Sequence, residues 1–317
     1  MELKKLEGKK IVVVGYGSQG HAHALNLSDC GMDVTVCVRE DGESWEKAKK
    51  DGLKVSDFSV IPQADVVMIL LPDEVQPEIY SKYLHKQMKE GAYLGFAHGF
   101  NIHYNQIEPR KDLNVFMTAP KSPGHKVRDK FLEKEGVPAL VAVYRDNSGE
   151  TNQLAREWAK GVCLDLYTLE TTFEEETETD LFGEQAVLCG GVVELMKTGY
   201  NTLVNAGYNE KLAYFECIHE MKLIVDMIYS TGIASMRKSI SNTAEYGDYV
   251  TGSKIITEDT KKNMEKILKD IQCGVFARDF LLEYKAGFPM VKTMRNKCKK
   301  DKVEVVGDEL RDLMFKK

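Results

Sequence analysis

Asp180 and Glu184 stand four residues apart in the stretch TETDLFGEQ, and Glu216 and Glu220 repeat that spacing in AYFECIHEMKLIVD. Side chains at i and i+4 share one helix face, so each pair sets two carboxylates side by side. Like charges at that spacing cost a helix about 0.2–0.5 kcal/mol. From Glu174 to Glu184 there are six carboxylates and no Lys or Arg. Four carboxylates from two helices form an all-oxygen donor set, which suits a hard divalent cation. Mg²⁺ fits best, because it keeps waters and leaves room for substrate oxygens, and two ions would relieve the repulsion. Two solvated helix faces would show the same spacing. Against that bland reading, Gly183 lies inside the first pair, where glycine costs a helix ~1 kcal/mol relative to alanine. HEMKL is not a zinc-protease helix, since Leu223 stands where the second histidine belongs.

A second chemistry is written at the other end of the chain. VVVGYGSQGHAHAL carries G-x-G-x-x-G at Gly15, Gly17 and Gly20. It follows an apolar run and opens a helix-like stretch, the context that gives this spacing meaning. Gly15 permits the tight turn, Gly17 lets a pyrophosphate approach the backbone, and Gly20 lets helix pack on strand. The helix N-terminus then favours phosphate charge. The next run ends at Val38, and REDGESW follows. Arg39 could stack on adenine or pair with a 2′-phosphate. Asp41 or Glu43 would instead accept from a free 2′-hydroxyl. Glu40, Asp41 and Glu43 against one arginine tilt the loop away from a phosphorylated cofactor. His21 and His23, two apart, point to different faces and read as packing or solvent contacts.

The elements that must position these groups are legible as runs. KIVVVGYG, GMDVTVCVR, ADVVMILLP, GAYLGFAHG, LNVFMTAP and VPALVAVYR are apolar, and CLDLYTLE is a seventh candidate. Helix-like stretches such as SQGHAHALNLSDCG and DEVQPEIYSKYLHKQM separate several of them. Solid apolar strands between helices predict a doubly wound, Rossmann-like parallel sheet with both faces covered. Ligands of such sheets gather at the carboxyl ends of the strands. Near Thr171 the pattern becomes helical: Ile218, Met221, Ile224, Val225 and Ile228 fall on one face, and Pro289 is the one proline there. The reading is two domains, 1–171 for NAD(P) binding and 172–317 all-helical.

Composition narrows the partners. The 317 residues carry a net charge of −6 and show no basic stripe, which disfavours nucleic acid and anionic membrane. No apolar run nears the ~18 residues of a membrane span. MELKKLEGKK lacks the apolar core of a signal peptide. The seven cysteines include no CxxC pair and read as reduced packing residues of a cytoplasmic protein.

Seven ordered segments, GYGSQGHAHALNLSDCG, LLPDEVQPEIY, FAHGFNIHY, APKSPGH, TDLFGEQAVLCGG, AYFECIHEMKLIVD and SISNTAEYGD, resemble ketol-acid reductoisomerase in its short, class I form. The resemblance runs from about Leu6 to beyond Gly274. It implies Mg²⁺-dependent alkyl migration in 2-acetolactate or 2-aceto-2-hydroxybutyrate, followed by reduction by NADPH, in branched-chain amino-acid synthesis. It implies two Mg²⁺ per site, with Asp180 bridging both, Glu184 holding one, and Glu216 and Glu220 holding the other. His98, Lys121 and Glu184 would be catalytic, with Lys121 near a metal-bound water, and Ser241 would touch substrate. Tyr16, Gly17, Ser18, Gln19, Arg39, Ser44, Asp73, Glu74, Val75, Gln76 and Gly124 match cofactor contacts. The resemblance further implies a knotted helical domain and a homodimer with a shared active site.

Two positions depart from the family pattern. Serines usually follow the second strand, whereas here the first such position is Gly42, flanked by acids, and Ser44 alone remains. NADH use is therefore expected. PKSPGH has Ser122 where glycine is commoner, with little expected effect. A metal-free hydroxyacid dehydrogenase would share the nucleotide domain but place a lysine or histidine, not four acids, at the nicotinamide. A nucleotide-sensing regulator would add a DNA-binding module, and no helix-turn-helix or basic face is seen. His103 and His219 read as structural.

Overall fold

The computed structural model describes residues 2–164 and 167–315. It divides into two compact units, Met1–Thr179 and Asp180–Lys317. The first holds strands β1 (Lys10–Val14), β2 (Asp33–Cys37), β3 (Lys54–Ser56), β4 (Val66–Ile69), β5 (Tyr93–Phe96), β6 (Asn114–Pro120), β7 (Ala139–Arg145) and β8 (Thr168–Glu170). Its helices are α1 (Ser18–Asp29), α2 (Glu43–Lys50), α3 (Gln76–Ile79), α4 (Phe100–His103), α5 (Gly124–Leu132) and α6 (Thr151–Cys163), and α7 (Phe173–Phe182) begins in it. The strands form one sheet in the order β3-β2-β1-β4-β5-β6-β7-β8.

The sheet is covered on both faces, and the strand residues show why. Ile11, Val13, Val66 and Met68 pack into one core with Leu27, Leu154 and Trp158 of α1 and α6. Their neighbours Val12, Val14, Val67 and Ile69 pack into the other with Tyr80, Leu84 and Ile102. Successive strand side chains point to opposite faces, so a strand buried on both sides must be apolar at every position. Within the first core, the His23 ring is buried on α1 and accepts from the Trp158 indole N–H at 3.1 Å. Burial holds it neutral, its pKa lowered to about 3.

Two features of the sheet differ from expectation. The three-residue β3 was not foreseen, being too short to show as a run. The sheet is also not wholly parallel, because β7 runs antiparallel to β6 with Pro120 opposite Ala139. The chain leaves β6, makes α5 and re-enters at the same end, where Lys121 N–H donates to Pro138 O at 2.9 Å. An apolar run carries no record of its direction. β8 pairs parallel to β7, and Asp165 and Leu166 of the expected seventh run lie outside the described residues.

The second unit is helical among the described residues: α8 (Gly190–Asn205), α9 (Glu210–Tyr214), α10 (Glu220–Thr231), α11 (Ile233–Ser239), α12 (Asn242–Ile255), α13 (Glu258–Gln272), α14 (Val275–Lys285), α15 (Pro289–Cys298) and α16 (Lys302–Phe315). Two π turns, Gly183–Leu188 and Phe215–His219, interrupt the regular spiral. Its core gathers Tyr200, Ala213, Tyr214, Val303, Val306 and Leu310. Among the described residues, no helix is long and apolar enough to cross a membrane. Cys37 and Cys163 are buried, as packing residues should be, whereas Cys189 and Cys273 are exposed.

Candidate active site

The parallel strands β1, β2, β4, β5 and β6 all end on the same side, and the sequence-derived residues of the first unit follow those ends. At β1 the glycine turn takes the shape its spacing demands. Gly15 has φ +102°. A Cβ on Gly20 would come 2.3 Å from Gly15 O, whereas one on Gly17 would meet nothing within 4 Å. Gly20 thus permits close helix–strand packing, and Gly17 leaves an open cradle in front of the α1 N-terminus, the geometry a pyrophosphate needs. Gly124, far away in sequence, closes the turn from the side: a Cβ there would lie 2.1 Å from Ser18 O. Gln19 Nε2 reaches the same segment, donating to Ser122 O at 3.0 Å.

Tyr16 is anchored below the turn. Its hydroxyl donates to Asp51 Oδ2 at 2.8 Å, and burial followed by that bond pushes the phenol pKa upward. His21 Nε2 lies 3.5 Å from the same carboxylate. Beyond β2, Arg39, Glu40, Asp41 and Glu43 are exposed, and Asp41 adopts left-handed backbone with φ +57°. Gly42 caps α2, which places Ser44 in the first helical turn beside Glu43 and Glu46. After β4, Asp73, Glu74, Val75 and Gln76 form the turn into α3. Gln76 is buried and donates to Leu71 O at 2.8 Å.

At the ends of β5 and β6 a single buried carboxylate organises the groups. Glu176 of α7 takes His98 Nδ1 at 2.9 Å and Gly99 N–H at 2.9 Å on Oε2, and Lys121 Nζ at 3.0 Å on Oε1. Burial would raise its pKa. The hydrogen bond and charge of His98, the charge of Lys121 and the Gly99 N–H outweigh that and hold it near about 2. Glu176 is therefore ionised and fixes the imidazole tautomer, with Nδ1 carrying the proton. Sequence reading counted this acid among six and gave it no role. A signal was present: Phe173, Glu176, Thr177 and Asp180 follow i, i+3, i+4, i+7, and the first three are buried. His103 Nε2 sits 3.6 Å from Glu178 Oε1.

In the second unit the acid pairs do not lie on plain α-helical faces. Glu184 is inside the first π turn, where Cys189 N–H donates to Glu184 O at 3.0 Å. Glu216 is inside the second, where Glu220 N–H donates to Phe215 O. The i→i+5 bonding changes the angle between each pair's side chains. Single-turn π segments of this kind recur at functional sites. Asp180 is partly buried, and Glu184, Glu216 and Glu220 are exposed. Among the described residues, no three of these four acids bring their oxygens within 4.8 Å of one another. The donor chemistry still suits Mg²⁺, as two half-sets of hard oxygens. Ser241 caps α12, its Oγ accepting from Ala244 N–H at 3.2 Å, which leaves the hydroxyl proton to donate.

Comparison with known proteins follows this division of the chain. A family model described as acetohydroxy acid isomeroreductase, NADPH-binding domain, matches residues 5–165. A second, described as ketol-acid reductoisomerase, C-terminal domain, matches residues 173–316. Among solved structures, an NADH-preferring ketol-acid reductoisomerase from an uncultured archean is 47% identical, with 100% of this chain and 98% of that chain covered and a TM-score of 0.96. A semialdehyde dehydrogenase NAD-binding protein from Cupriavidus necator is 19% identical, with 83% and 98% covered and a TM-score of 0.62. A pyrroline-5-carboxylate reductase from Coxiella burnetii is 14% identical, with 83% and 97% covered and a TM-score of 0.56. The last two share the fold alone.

Proposed function

Because the chain belongs to the ketol-acid reductoisomerase family, we propose that its own residues perform the family reaction on 2-acetolactate and 2-aceto-2-hydroxybutyrate, with NADH as an effective reductant. It is an NAD(P)H-dependent oxidoreductase with an isomerase step acting on a small-molecule substrate. The observation that carries the assignment of roles is the Glu176 carboxylate, bound to His98, Gly99 and Lys121 at the carboxyl ends of β5 and β6.

In this reading Asp180, Glu184, Glu216 and Glu220 would hold two Mg²⁺, whose chemistry would be to polarise the substrate ketone and its neighbouring oxygen. The nicotinamide supplies the hydride. Gly15, Gly17, Ser18, Gln19 and Gly20 hold the pyrophosphate, and Tyr16, tied to Asp51, keeps that turn rigid. Arg39 and Ser44 flank the adenosine ribose, Asp73–Gln76 and Gly124 line the dinucleotide, and Ser241 donates to substrate. Glu176 orients His98 to pass a proton through Nε2 and holds the Lys121 ammonium in place. As the alkyl group migrates to the ketone carbon, the old ketone oxygen takes up a proton and becomes a hydroxyl, while the carbinol hydroxyl loses its proton and becomes the new ketone. That ketone then gains hydride and a proton to give the 2,3-dihydroxy acid.

Two observations support NADH. Glu40, Asp41 and Glu43 are exposed around the α2 N-terminus, where a 2′-phosphate would meet three negative charges. A 47% identical relative is described as NADH-preferring. A homodimer fits the acids, because a second copy could bring its half-set to the first. It also fits the apolar side chains left exposed in the second unit, among them Tyr229 at 88%, Leu313 at 72% and Tyr246 at 69%. A cytoplasmic location is part of the same reading.

The test is turnover of 2-acetolactate with NADH and with NADPH, each with Mg²⁺ and with EDTA. We expect Mg²⁺-dependent turnover, abolished by EDTA, with kcat/KM for NADH at least equal to that for NADPH. Turnover that persists in EDTA would sink the metal assignment, and a tenfold advantage for NADPH would sink the cofactor assignment.

A further inference from the structure

Four amide side chains are buried in the first unit among the described residues: Asn26, Gln76, Asn101 and Asn114. Two are satisfied at both ends. Asn26 donates to Val162 O at 2.8 Å and accepts from Arg128 at 2.7 Å. Asn114 donates to Gly91 O at 2.8 Å and accepts from Asn147 N–H at 2.8 Å and Ser148 N–H at 3.0 Å. The other two lie at the carboxyl ends of β4 and β5 and are satisfied at one end only. Asn101 donates through Nδ2 to Asp73 O at 3.0 Å. Gln76 donates through Nε2 to Leu71 O at 2.8 Å and to Asp73 Oδ1 at 3.2 Å. Carbonyl and carboxylate oxygens only accept, so these contacts fix which end of each amide is NH₂. Asn101 Oδ1 and Gln76 Oε1 remain buried with no partner.

Half-buried Gln19, at the glycine turn, repeats the pattern, donating to Ser122 O while its Oε1 has no partner. Buried acceptors are nearly always paired in folded proteins. Of the buried side-chain atoms without a partner among the described residues, these three are amide oxygens on the strand ends that carry the nucleotide turn and His98; the others are His23 Nε2, His103 Nε2, Gln185 Nε2 and Tyr200 Oη. A pyrophosphate or carboxylate, being an acceptor itself, does not answer that need. A group bearing N–H does.

Asn101 lies three residues beyond His98, in the turn Phe100–His103, the segment that the reading above assigns to the reacting end of the dinucleotide. We propose that Asn101 binds the nicotinamide: its Oδ1 accepts an N–H of the carboxamide while its Nδ2 clamps the Asp73–Gln76 loop. One side chain would then join the loop that lines the dinucleotide to the segment that carries His98, and would fix which face of the ring is presented. The proposal rests on the NAD(P)H-binding reading above.

The test is calorimetric binding to the intact protein, which needs no turnover. Wild type and Asn101→Ala are each titrated with NADH, with reduced 3-acetylpyridine adenine dinucleotide, whose acetyl group has no N–H, and with ADP-ribose, which has no nicotinamide. In wild type the acetyl replacement raises Kd roughly tenfold, the usual scale for leaving one buried polar group unpaired. In Asn101→Ala, NADH binding weakens roughly tenfold, and the acetyl replacement costs less than about twofold because the acceptor is already gone. The comparison is made within each protein, so a general loosening of the variant cancels. ADP-ribose binds both proteins alike. Asn101→Asp, which keeps an acceptor oxygen and loses the clamp, retains the penalty for the acetyl group. An equal acetyl penalty in wild type and Asn101→Ala, unchanged NADH affinity in Asn101→Ala, or an equal loss of ADP-ribose binding would each overturn the proposal. Failure of wild type to bind NADH or NADPH would instead overturn the reading beneath it.

Discussion

Glu176 uses both carboxylate oxygens on groups of opposite charge or on N–H donors, and its side chain is 1% exposed. A buried charge is tolerated when it is paired and hydrogen-bonded, and here the pairing has a directional consequence. A carboxylate at Nδ1 assigns the His98 proton to that nitrogen and fixes the ring plane. Glu176→Gln keeps the shape, removes the charge and lets the tautomer reverse. We expect kcat to fall about a hundredfold, the order of loss that misplacing a reacting group produces, with KM for NADH changed less than about twofold and an unchanged circular dichroism spectrum. A variant that keeps wild-type kcat would reduce Glu176 to a packing residue.

At the scale of elements, the two π turns decide how the acids are displayed. The widening at Gly183–Leu188 is held open by the glycines that follow: a Cβ on Gly190 would fall 2.2 Å from Gln185 O, and one on Gly191 would fall 2.1 Å from Ala186 O. The CGG that ends TDLFGEQAVLCGG is thus a steric condition for the turn that carries Glu184. Gly190→Ala must push the carbonyl away or restore a regular spiral, and either rotates Glu184 relative to Asp180. We expect a loss of about 1–3 kcal/mol in stability, as for other forced contacts, and a Mg²⁺ half-saturation raised at least about tenfold when turnover is titrated with the ion. Wild-type Mg²⁺ dependence in this variant would show that the turn has no part in metal binding.

For the whole molecule, the two units differ in how they bury their apolar residues. The first has two cores, one on each face of its sheet. The second gathers a smaller core and leaves Leu188, Leu212, Tyr229, Tyr246 and Leu313 exposed. Exposed apolar area of that extent is what a protein interface would cover, and in the proposed reading a partner's acids complete the metal set. Sedimentation equilibrium at micromolar concentration is expected to give twice the 35.8 kDa chain mass or a multiple of it. The melting temperature should rise with protein concentration. A monomer with full Mg²⁺-dependent turnover would refute the shared-site reading.

The nucleotide-binding fold was legible in the residues, because its signals are local. A strand buried on both faces must be apolar throughout, as Ile11–Val14 and Val66–Ile69 are, and a turn that approaches its own helix needs glycine where Gly15 and Gly20 stand. The acid pairs could also be picked out by spacing alone. Tertiary structure decided the rest. Glu176 meets partners 78 and 55 residues away, and no local pattern distinguishes a buried acid with such partners from its solvated neighbours. β7 turned antiparallel because the chain came back at the end it had left, and a run of apolar residues reads the same in both directions. The angle between paired carboxylates was set by carbonyls five residues back along the helix, not by the period of the sequence.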